Sequence, residues 1–528
     1  MEFKYGGSAT NQRTVLGHPA GLFVLFFTEM WERFSYYGMR ALLVLFLVTS
    51  IIDEGWGWER ADALTLYGIY TGLVYVTPIL GGLIADKIMG YRRAIVLGAF
   101  LMTLGHAAMA LEIFMDPFFY VGLGLLIIGN GLFKPNISSI VGQLYKSQGK
   151  EKDAGYTIFY MGINAGAFLG ILLCGYIGEQ VGWHYGFGLA GVFMFFGMLQ
   201  FYFAQNIFGK IGLSPSQYDE FEDDEASPVD REEQIEEVVE DAEKSVVTRD
   251  RLIVIGVLAF FTIFFWWAFE QAGGSMTIFA ADYTDRVLEG NGAMTFKIFN
   301  TLLTVIPMLI ITWVLAMLFK QTFSKFSLAN IMLGTSFVII WGIVIWMLGR
   351  QFADDAPEVP ASWFGILNSF FIIAFAPLFS KIWQSKLNPS GPVKFAIGLI
   401  LLGLGFAILA FGSMGIPQGA KTASVSMIFL VIAYLFHTLG ELCVSPVGLS
   451  YVSKLAPIKL VGLMFGVWFV ANFIANLLAG VTGSYIDPIV EEYGMTTFFL
   501  IFTIVPIAAG VVMLLLSKTL IRMMHGIR

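Results

Sequence analysis

Seven charged side chains lie inside stretches of sequence that are otherwise apolar. They are Glu29, Glu32, Arg33, Arg40, Lys134, Glu270 and Glu441. A charge left unpaired in lipid costs about 2.5–3.5 kcal/mol, so we expect these side chains to pair or to line a water-filled cavity. Four are acids and three are bases, which leaves one carboxylate without a base. A surplus carboxylate in a poorly hydrated place exchanges a proton with its surroundings, and this predicts a proton-coupled carrier of a charged or zwitterionic solute.

The first apolar stretch concentrates these charges on one side of a helix. Its helically spaced face consists of Glu29, Arg33, Tyr36, Tyr37 and Arg40. Glu32 lies at the edge of that face, four residues before Tyr36. Two arginines offer forked donors that suit a carboxylate, which favours a binding site. The alternative is a structural ion-pair network that braces neighbouring helices.

The elements that must position these residues are membrane-spanning helices. Hydrophobic residues make up 57% of the 528 residues and charged residues only 13%, which excludes an ordinary soluble protein. Stretches long enough to cross about 30 Å of hydrocarbon predict fourteen helices in an all-α polytopic membrane protein. They cover residues 20–49, 63–86, 93–114, 118–144, 155–179, 185–208, 252–281, 296–319, 327–349, 362–384, 394–413, 424–453, 460–485 and 495–517.

The distribution of bases predicts that both termini lie in the cytoplasm. With that orientation the outward loops carry only Arg60, Arg286, Lys297, Arg350 and Lys421, and the inward loops carry most other Lys and Arg residues. Residues 214–251 hold fifteen acids and four bases, so the net charge of −8 comes mainly from one cytoplasmic linker. We therefore infer no basic partner and no nucleic-acid role. No cleaved signal peptide is expected in the first seventeen residues.

The remaining patterns give no sign of enzyme chemistry. Cys174 and Cys443 lie in apolar runs and are interpreted as packing residues. No metal-ligand spacing, nucleophile motif or phosphate loop is found, so we expect no metal, no cofactor and no catalytic residue. His437, one turn before Glu441, is expected to donate to a neighbouring backbone or hydroxyl group; tuning of Glu441 is the alternative.

Five motifs resemble those of proton-dependent oligopeptide transporters, the peptide-carrying branch of the major facilitator superfamily. The first is E-x-x-E-R-F-x-Y-Y-G, at residues 29–38. The others are GLFKPN at 131–136, FYMGIN at 159–164, FEQ at 269–271 and GELCVSP at 440–446. Each motif alone is moderately specific. Five motifs in this order, spread over nearly the whole chain, make the resemblance strong.

The resemblance implies the major facilitator fold, with two six-helix bundles plus two extra transmembrane helices. The extra pair is inserted after the span that carries Glu270, and we expect it to pack or to contact lipid. The predicted division is a cytoplasmic amino terminus (1–19), a six-helix bundle (20–210), an acidic linker (211–251), the first helix of the second bundle (252–292), the inserted pair (293–350), the rest of the second bundle (351–518) and a cytoplasmic carboxyl terminus (519–528).

The resemblance also implies roles for individual residues. The implied proton-coupling residues are Glu29, Glu32, Arg33 and Glu270. The implied peptide-binding residues are Arg33, Tyr36, Tyr37, Tyr75, Lys134, Asn164, Glu441, Ser445 and Trp468, with Tyr70 as the alternative to Tyr75. The implied gate residues are Arg40, Glu270, Lys134 and Glu441.

The expected function is import of di- and tripeptides with protons by alternating access. The peptide would be held by its charged ends, and the chain would act as a monomer in the bacterial inner membrane. The alternative is a relative that carries another small charged solute, such as an amino-acid-like compound or an anion. A receptor or an intramembrane enzyme is the competing class, and no sequence feature favours it.

Overall fold

The fold consists almost entirely of helices joined by short connections. The computed structural model describes residues 3–146, 149–214, 217, 246–457 and 460–527. The first six long helices are α1 (Ala20–Val48), α2 (Arg60–Ile84), α3 (Gly90–Ala110), α4 (Pro117–Gln143), α5 (Lys150–Gln180) and α6 (Trp183–Ala204). The later helices are α7 (Val246–Phe269), α8 (Ser275–Asp282), α9 (Gly290–Thr322), α10 (Ser327–Ala353), α11 (Ile366–Gln384), α12 (Gly391–Gly412), α13 (Ile428–Leu455), α14 (Val461–Ser484), α15 (Ile486–Tyr493) and α16 (Met495–Met523). Most of the acidic linker predicted at 211–251 lies outside the described residues.

Length and apolar composition make this a multi-pass membrane protein. Twelve segments of the described residues are long and apolar enough to cross a membrane. One of them, Arg60–Ala110, contains both α2 and α3, whereas the charge-rich α1 is not among the twelve. The count of fourteen spans therefore stays a prediction, although each predicted stretch other than 252–281 overlaps one described helix over most of its length.

Short strands occur only near helix ends in the described residues. Strand β1 (Thr14–Val15) pairs antiparallel with β2 (His18–Pro19), just before α1. Strand β3 (Thr284–Asp285) pairs in parallel with β4 (Val425–Ser426). Each pair forms a minimal two-stranded sheet.

The span predicted at 252–281 is interrupted rather than continuous. Helix α7 ends at Phe269, a 3₁₀ turn covers Glu270–Gly273, and α8 begins at Ser275. A Cβ atom at Gly273 would clash with the hydroxyl of Tyr67, so the glycine permits a close approach of α2 to the turn. The side chain of Gln271 donates to Ala479 O at 3.0 Å and holds the turn to α14. Hydropathy reports the apolar composition of this stretch but not its break.

Contacts divide the described residues into two compact units. The first comprises the described parts of Met1–Gly55, Thr77–Phe221 and Arg286–Ile366, and the second those of Trp56–Val76, Glu222–Asp285 and Leu367–Arg528. The grouping follows contacts rather than chain order, since it places α9 and α10 with the amino-terminal helices. The domain boundaries given by the sequence stay a prediction.

Within the first unit, α10 packs against α1 through aromatic side chains. The ring of Phe337 in α10 lies 5.7 Å from the rings of Phe27 and Trp31 in α1. Helices α9 and α10 also contact each other through a polar pair, in which Asn300 of α9 donates to Gln351 of α10 at 2.7 Å. These contacts make the pair part of the first unit's packing; contact with lipid remains an expectation.

A stripe of glycines lets α5 lie directly against the charged helix α1. Gly162, Gly166 and Gly170 are spaced by four residues and therefore share one face of α5. A Cβ atom on Gly166 would clash with Met30 O and come within 2.9 Å of Arg33 Cβ. Small residues at such positions allow close backbone approach, which drives helix association in membranes. The stripe therefore fixes the position of the backbone that carries Arg33.

We predict that Gly166→Ala destabilises the protein by about 1–3 kcal/mol, because the added methyl group overpacks a rigid backbone contact. Gly124→Ala in α4 is the matched control, since a Cβ atom there meets nothing within 4 Å. Thermal unfolding of both purified variants in one detergent measures the difference. Equal melting temperatures would show that α1 and α5 do not need this approach.

Candidate functional site

The centre of the first unit is an arginine held between two carboxylates on the same helix. Arg33 Nε lies 2.9 Å from Glu29 Oε1 and 2.5 Å from Glu32 Oε2. The three side chains are at most 5% exposed. Charges this deeply buried persist only when they are paired and hydrogen-bonded, so the cluster compensates itself in part. It also leaves one carboxylate more than its single arginine neutralises.

Helix α4 supplies the remaining compensation through residues one turn apart. Asn130 Nδ2 donates to Glu32 Oε1 at 3.0 Å. Lys134, four residues later, interacts electrostatically with both Glu29 and Glu32. Two carboxylates thus share Arg33 and Lys134. The amide of Asn130 also fixes the orientation of one of those carboxylates, because its bond needs an oxygen at a defined place.

Aromatic rings extend the cluster along α1. The guanidinium carbon of Arg33 lies 5.6 Å from the ring centre of Tyr36, and that of Arg40 lies 6.0 Å from the ring of Tyr37. The two tyrosine rings meet edge to face at 5.1 Å. Tyr36 is buried, whereas Tyr37 and Arg40 are half-buried. This face therefore presents cations backed by aromatic surface, an arrangement that holds the cations in place.

Asn164 belongs to the same unit but bonds within its own helix. It is 7% exposed, and its Nδ2 atom donates to Tyr160 O at 3.0 Å. That bond lies one turn back along α5. Its predicted contact with a peptide is untested.

In the second unit, two carboxylates lie near each other. Glu270 occupies the 3₁₀ turn after α7, where Tyr67 Oη lies 3.5 Å from its Oε2 atom. Glu441 in α13 accepts a hydrogen bond of 2.8 Å from Asn368 Nδ2. Glu270 acts on Glu441 as a like charge, so the two carboxylates interact electrostatically.

Three further predicted residues also belong to the second unit. Trp468 in α14 is 6% exposed and presses against Gly448, where a Cβ atom would clash with its ring. Tyr75 and Ser445 are half-buried, whereas Tyr70 is 2% exposed. A half-buried ring retains surface for a ligand, which favours Tyr75 over Tyr70.

The comparisons with known proteins agree with the motifs. Residues 92–223 and 335–498 match the sequence pattern of the POT family. The chain is 33% identical to the uncharacterized transporter YclF of Bacillus subtilis, over 98% of this chain and 97% of that protein. The chain belongs to the POT family. It is also 32% identical to a di-/tripeptide transporter of Lactococcus lactis subsp. cremoris, over 98% of this chain and 99% of that protein.

The architecture agrees with solved POT structures. A crystal structure of a peptide transporter POT in complex with sulfate superimposes with a TM-score of 0.73 and 29% identity, over 97% of both chains. The major facilitator fold predicted from the motifs is therefore confirmed. The roles of single residues in this POT chain stay predictions.

Sequence reasoning missed two polar contacts of the POT chain. Glu179, at the end of α5, accepts backbone N–H bonds from Ala361 and Ser362 at 2.8 and 2.9 Å. It caps the 3₁₀ turn before α11. Arg60 donates to Asp282 at 2.6 Å and to Asp487 at 2.7 Å, and so ties the start of α2 to the end of α8 and the start of α15. The sequence places Glu179 and Arg60 near the ends of predicted spans, where charged side chains are ordinarily solvated. Their position therefore gave no reason to expect these contacts.

Asn130 was missed because a lone asparagine in an apolar run carries no periodic signal. The expectation for His437 was wrong. Neither ring nitrogen of His437 has a hydrogen-bond partner among the described residues. The ring instead packs on Phe406, with centroids 4.5 Å apart.

We predict that Asn130→Ala destabilises the protein by about 1–3 kcal/mol, because Glu32 then loses a buried donor. Ser139→Ala in the same helix is the matched control, since that hydroxyl donates only to Pro135 O of its own helix. Thermal unfolding in detergent measures both variants. A loss no larger than that of the control would show that the amide does not support Glu32.

Proposed function

We propose that the protein is a proton-coupled symporter that imports di- and tripeptides by alternating access. The observation that carries the proposal is the cluster of Glu29, Glu32, Arg33 and Lys134, in which a buried guanidinium and a half-buried ammonium group interact with two buried carboxylates. The di-/tripeptide transporter from Lactococcus lactis, similar over almost the full length, supports the substrate class.

The charged ends of a peptide explain the selectivity that we propose. Arg33 and Lys134 receive the terminal carboxylate, and Glu441 with Asn164 receives the terminal ammonium. Every unmodified peptide has these two ends, so reading them leaves the side chains free to vary. The surrounding aromatic and polar side chains then limit size rather than sequence. They are Tyr36, Tyr37, Tyr75, Ser445 and Trp468.

Proton coupling follows from the electrical neutrality of the substrate. A zwitterion gains nothing from the membrane potential, whereas each positive charge moved inward gains about 2.3 kcal/mol per 100 mV. A co-transported proton therefore supplies the driving force. Glu29, Glu32 and Glu270 are the proposed carriers, and Arg33 is the cation whose pairing changes when a carboxylate binds a proton.

The gate is proposed to consist of paired charges that separate as the carrier opens. Arg40 with Glu270, and Lys134 with Glu441, are the pairs. Substrate and proton compete for the same groups, so their binding releases the pairs and permits the change of access.

The proposed setting is the bacterial inner membrane, with both termini in the cytoplasm and a monomer as the working unit. No enzyme activity and no cofactor are proposed. A carrier of anions is disfavoured, because Glu441 in the proposed binding site would repel an anionic substrate. Accumulation of a labelled dipeptide in proteoliposomes under an imposed proton gradient tests the symporter; its absence would favour the other solute classes.

We predict that Glu32→Gln abolishes gradient-driven accumulation of a dipeptide but preserves at least part of peptide counterflow. The amide cannot carry a proton, and exchange of peptide for peptide needs no net proton movement. Proteoliposomes with equal reconstituted protein measure both activities, and Glu492→Gln, an exposed carboxylate, is the control. Accumulation that persists would remove Glu32 from the coupling path.

We predict that Lys134→Ala weakens binding of peptides with free carboxyl ends about tenfold or more, and binding of amidated peptides much less. A charge-assisted bond to the carboxylate contributes about 1.5–3 kcal/mol, and an amide cannot replace it. Competition against a labelled dipeptide measures both series, with the exposed Lys320→Ala as control. Equal losses for both series would refute contact between Lys134 and the peptide carboxylate.

A further inference from the structure

A polar cavity occurs in the second unit, and its lining contains no residue of the candidate site. It has a volume of about 440 Å³ and lies where the start of α12 meets the ends of α13 and α16. Its polar lining includes Asn388, Ser390, Lys394, Tyr451 and Lys454, and the apolar wall includes Ile521. None of these residues has a role in the proposed transport cycle. The proposed orientation places the cavity at the cytoplasmic surface.

The chain segments that line this cavity carry basic side chains and no acidic ones. The carboxylate of Asp250 approaches one of these segments, where it pairs with His525 at 2.9 Å, but neither residue lines the cavity. Residues 381–394, 447–460 and 511–528, which contain its lining, include no Asp or Glu. Lys394 and Lys454 come from different helices, and their ammonium groups act on each other as like charges. Lys394 Nζ lies 4.5 Å from the ring centre of Trp383, and Lys454 Nζ lies 5.9 Å from that of Tyr451. Aromatic rings thus support two cations that an anion between them would stabilise.

Neutral donors converge on the same space. Ser390 Oγ is buried and has no hydrogen-bond partner among the described residues. Tyr451 Oη accepts the N–H of Gly391 at 3.2 Å, which leaves its own proton available for donation. Both side chains adjoin the first turn of α12, where the helix dipole favours negative charge. Two ammonium groups and two hydroxyl groups match the multiple acceptor oxygens of a phosphate.

We propose that this cavity binds a phosphate group, carried either by the headgroup of an anionic phospholipid or by free inorganic phosphate. The cavity volume is ample for such a group. The apolar wall near Ile521 suits the first carbons of a lipid chain, and cytoplasmic lysines at a membrane surface attract anionic lipids. The assignment does not depend on peptide transport, since no residue is shared between the two sites.

The test compares binding of phosphatidylglycerol and of inorganic phosphate to the full-length protein. Native mass spectrometry counts bound phosphatidylglycerol against phosphatidylcholine, and thermal unfolding in phosphatidylcholine nanodiscs follows a titration with inorganic phosphate. The test variant is Lys394→Gln with Lys454→Gln, and a second variant is Ser390→Ala. The control is Lys381→Gln with Lys518→Gln, which removes the same charge from residues outside the cavity lining.

The double test variant is expected to weaken phosphatidylglycerol binding about tenfold or more, and the control pair less than about twofold. Ser390→Ala is expected to weaken it without any change of charge. Binding of phosphatidylglycerol alone identifies a lipid site, and binding of phosphate as well shows that the phosphate group suffices. Equal losses in test and control pairs would reveal only diffuse surface attraction and overturn the proposal. Absence of binding by both probes would overturn it too.

Discussion

The buried ion cluster on α1 is the constraint on which the first unit depends. A charge inside hydrocarbon is tolerated only with partners at fixed positions, and Arg33 has such partners in Glu29 and Glu32. All three residues lie on α1, so the helix itself brings them together. One arginine neutralises only one of the two carboxylates, and the other must be compensated by residues of another helix. Asn130 and Lys134 meet that need from α4. The glycine stripe of α5 then holds the backbone of α1 in place.

The second unit handles its carboxylates differently. Glu270 lies where a helix is broken, and the 3₁₀ turn exposes backbone groups that a continuous helix would have satisfied internally. Tyr434 donates to Ala272 O at 3.1 Å and so satisfies one of them. Glu441 is held by the neutral amide of Asn368. Neutral donors therefore contact both carboxylates of the second unit, whereas the carboxylates of α1 are paired with a guanidinium.

The sequence predicted the helices well because hydropathy and charge are local properties. It also identified the seven intramembrane charges, and the structure groups Glu29, Glu32, Arg33 and Lys134 in one cluster. It did not predict the break after Phe269, where Gly273 leaves room for the hydroxyl of Tyr67 from α2. It missed Asn130, because the contact with Glu32 forms only through tertiary packing. It misjudged His437, because the packing of its ring on Phe406 is likewise a tertiary contact. Contacts between residues far apart in the chain leave no periodic pattern in a single sequence, so they could not be predicted from it.

The net charge of the seven intramembrane residues determines which step of the proposed transport cycle responds to the membrane potential. The first unit contains Glu29, Glu32 and three bases, whereas the second contains Glu270 and Glu441. With every group ionised the set carries one net negative charge, and one bound proton makes it neutral. A zwitterionic peptide adds nothing to that sum. In the proposed symporter the loaded carrier would therefore cross in a neutral state and the empty carrier would return with a negative charge. A negative-inside potential drives negative charge outward, so voltage would assist the return of the empty carrier rather than the entry of the loaded one.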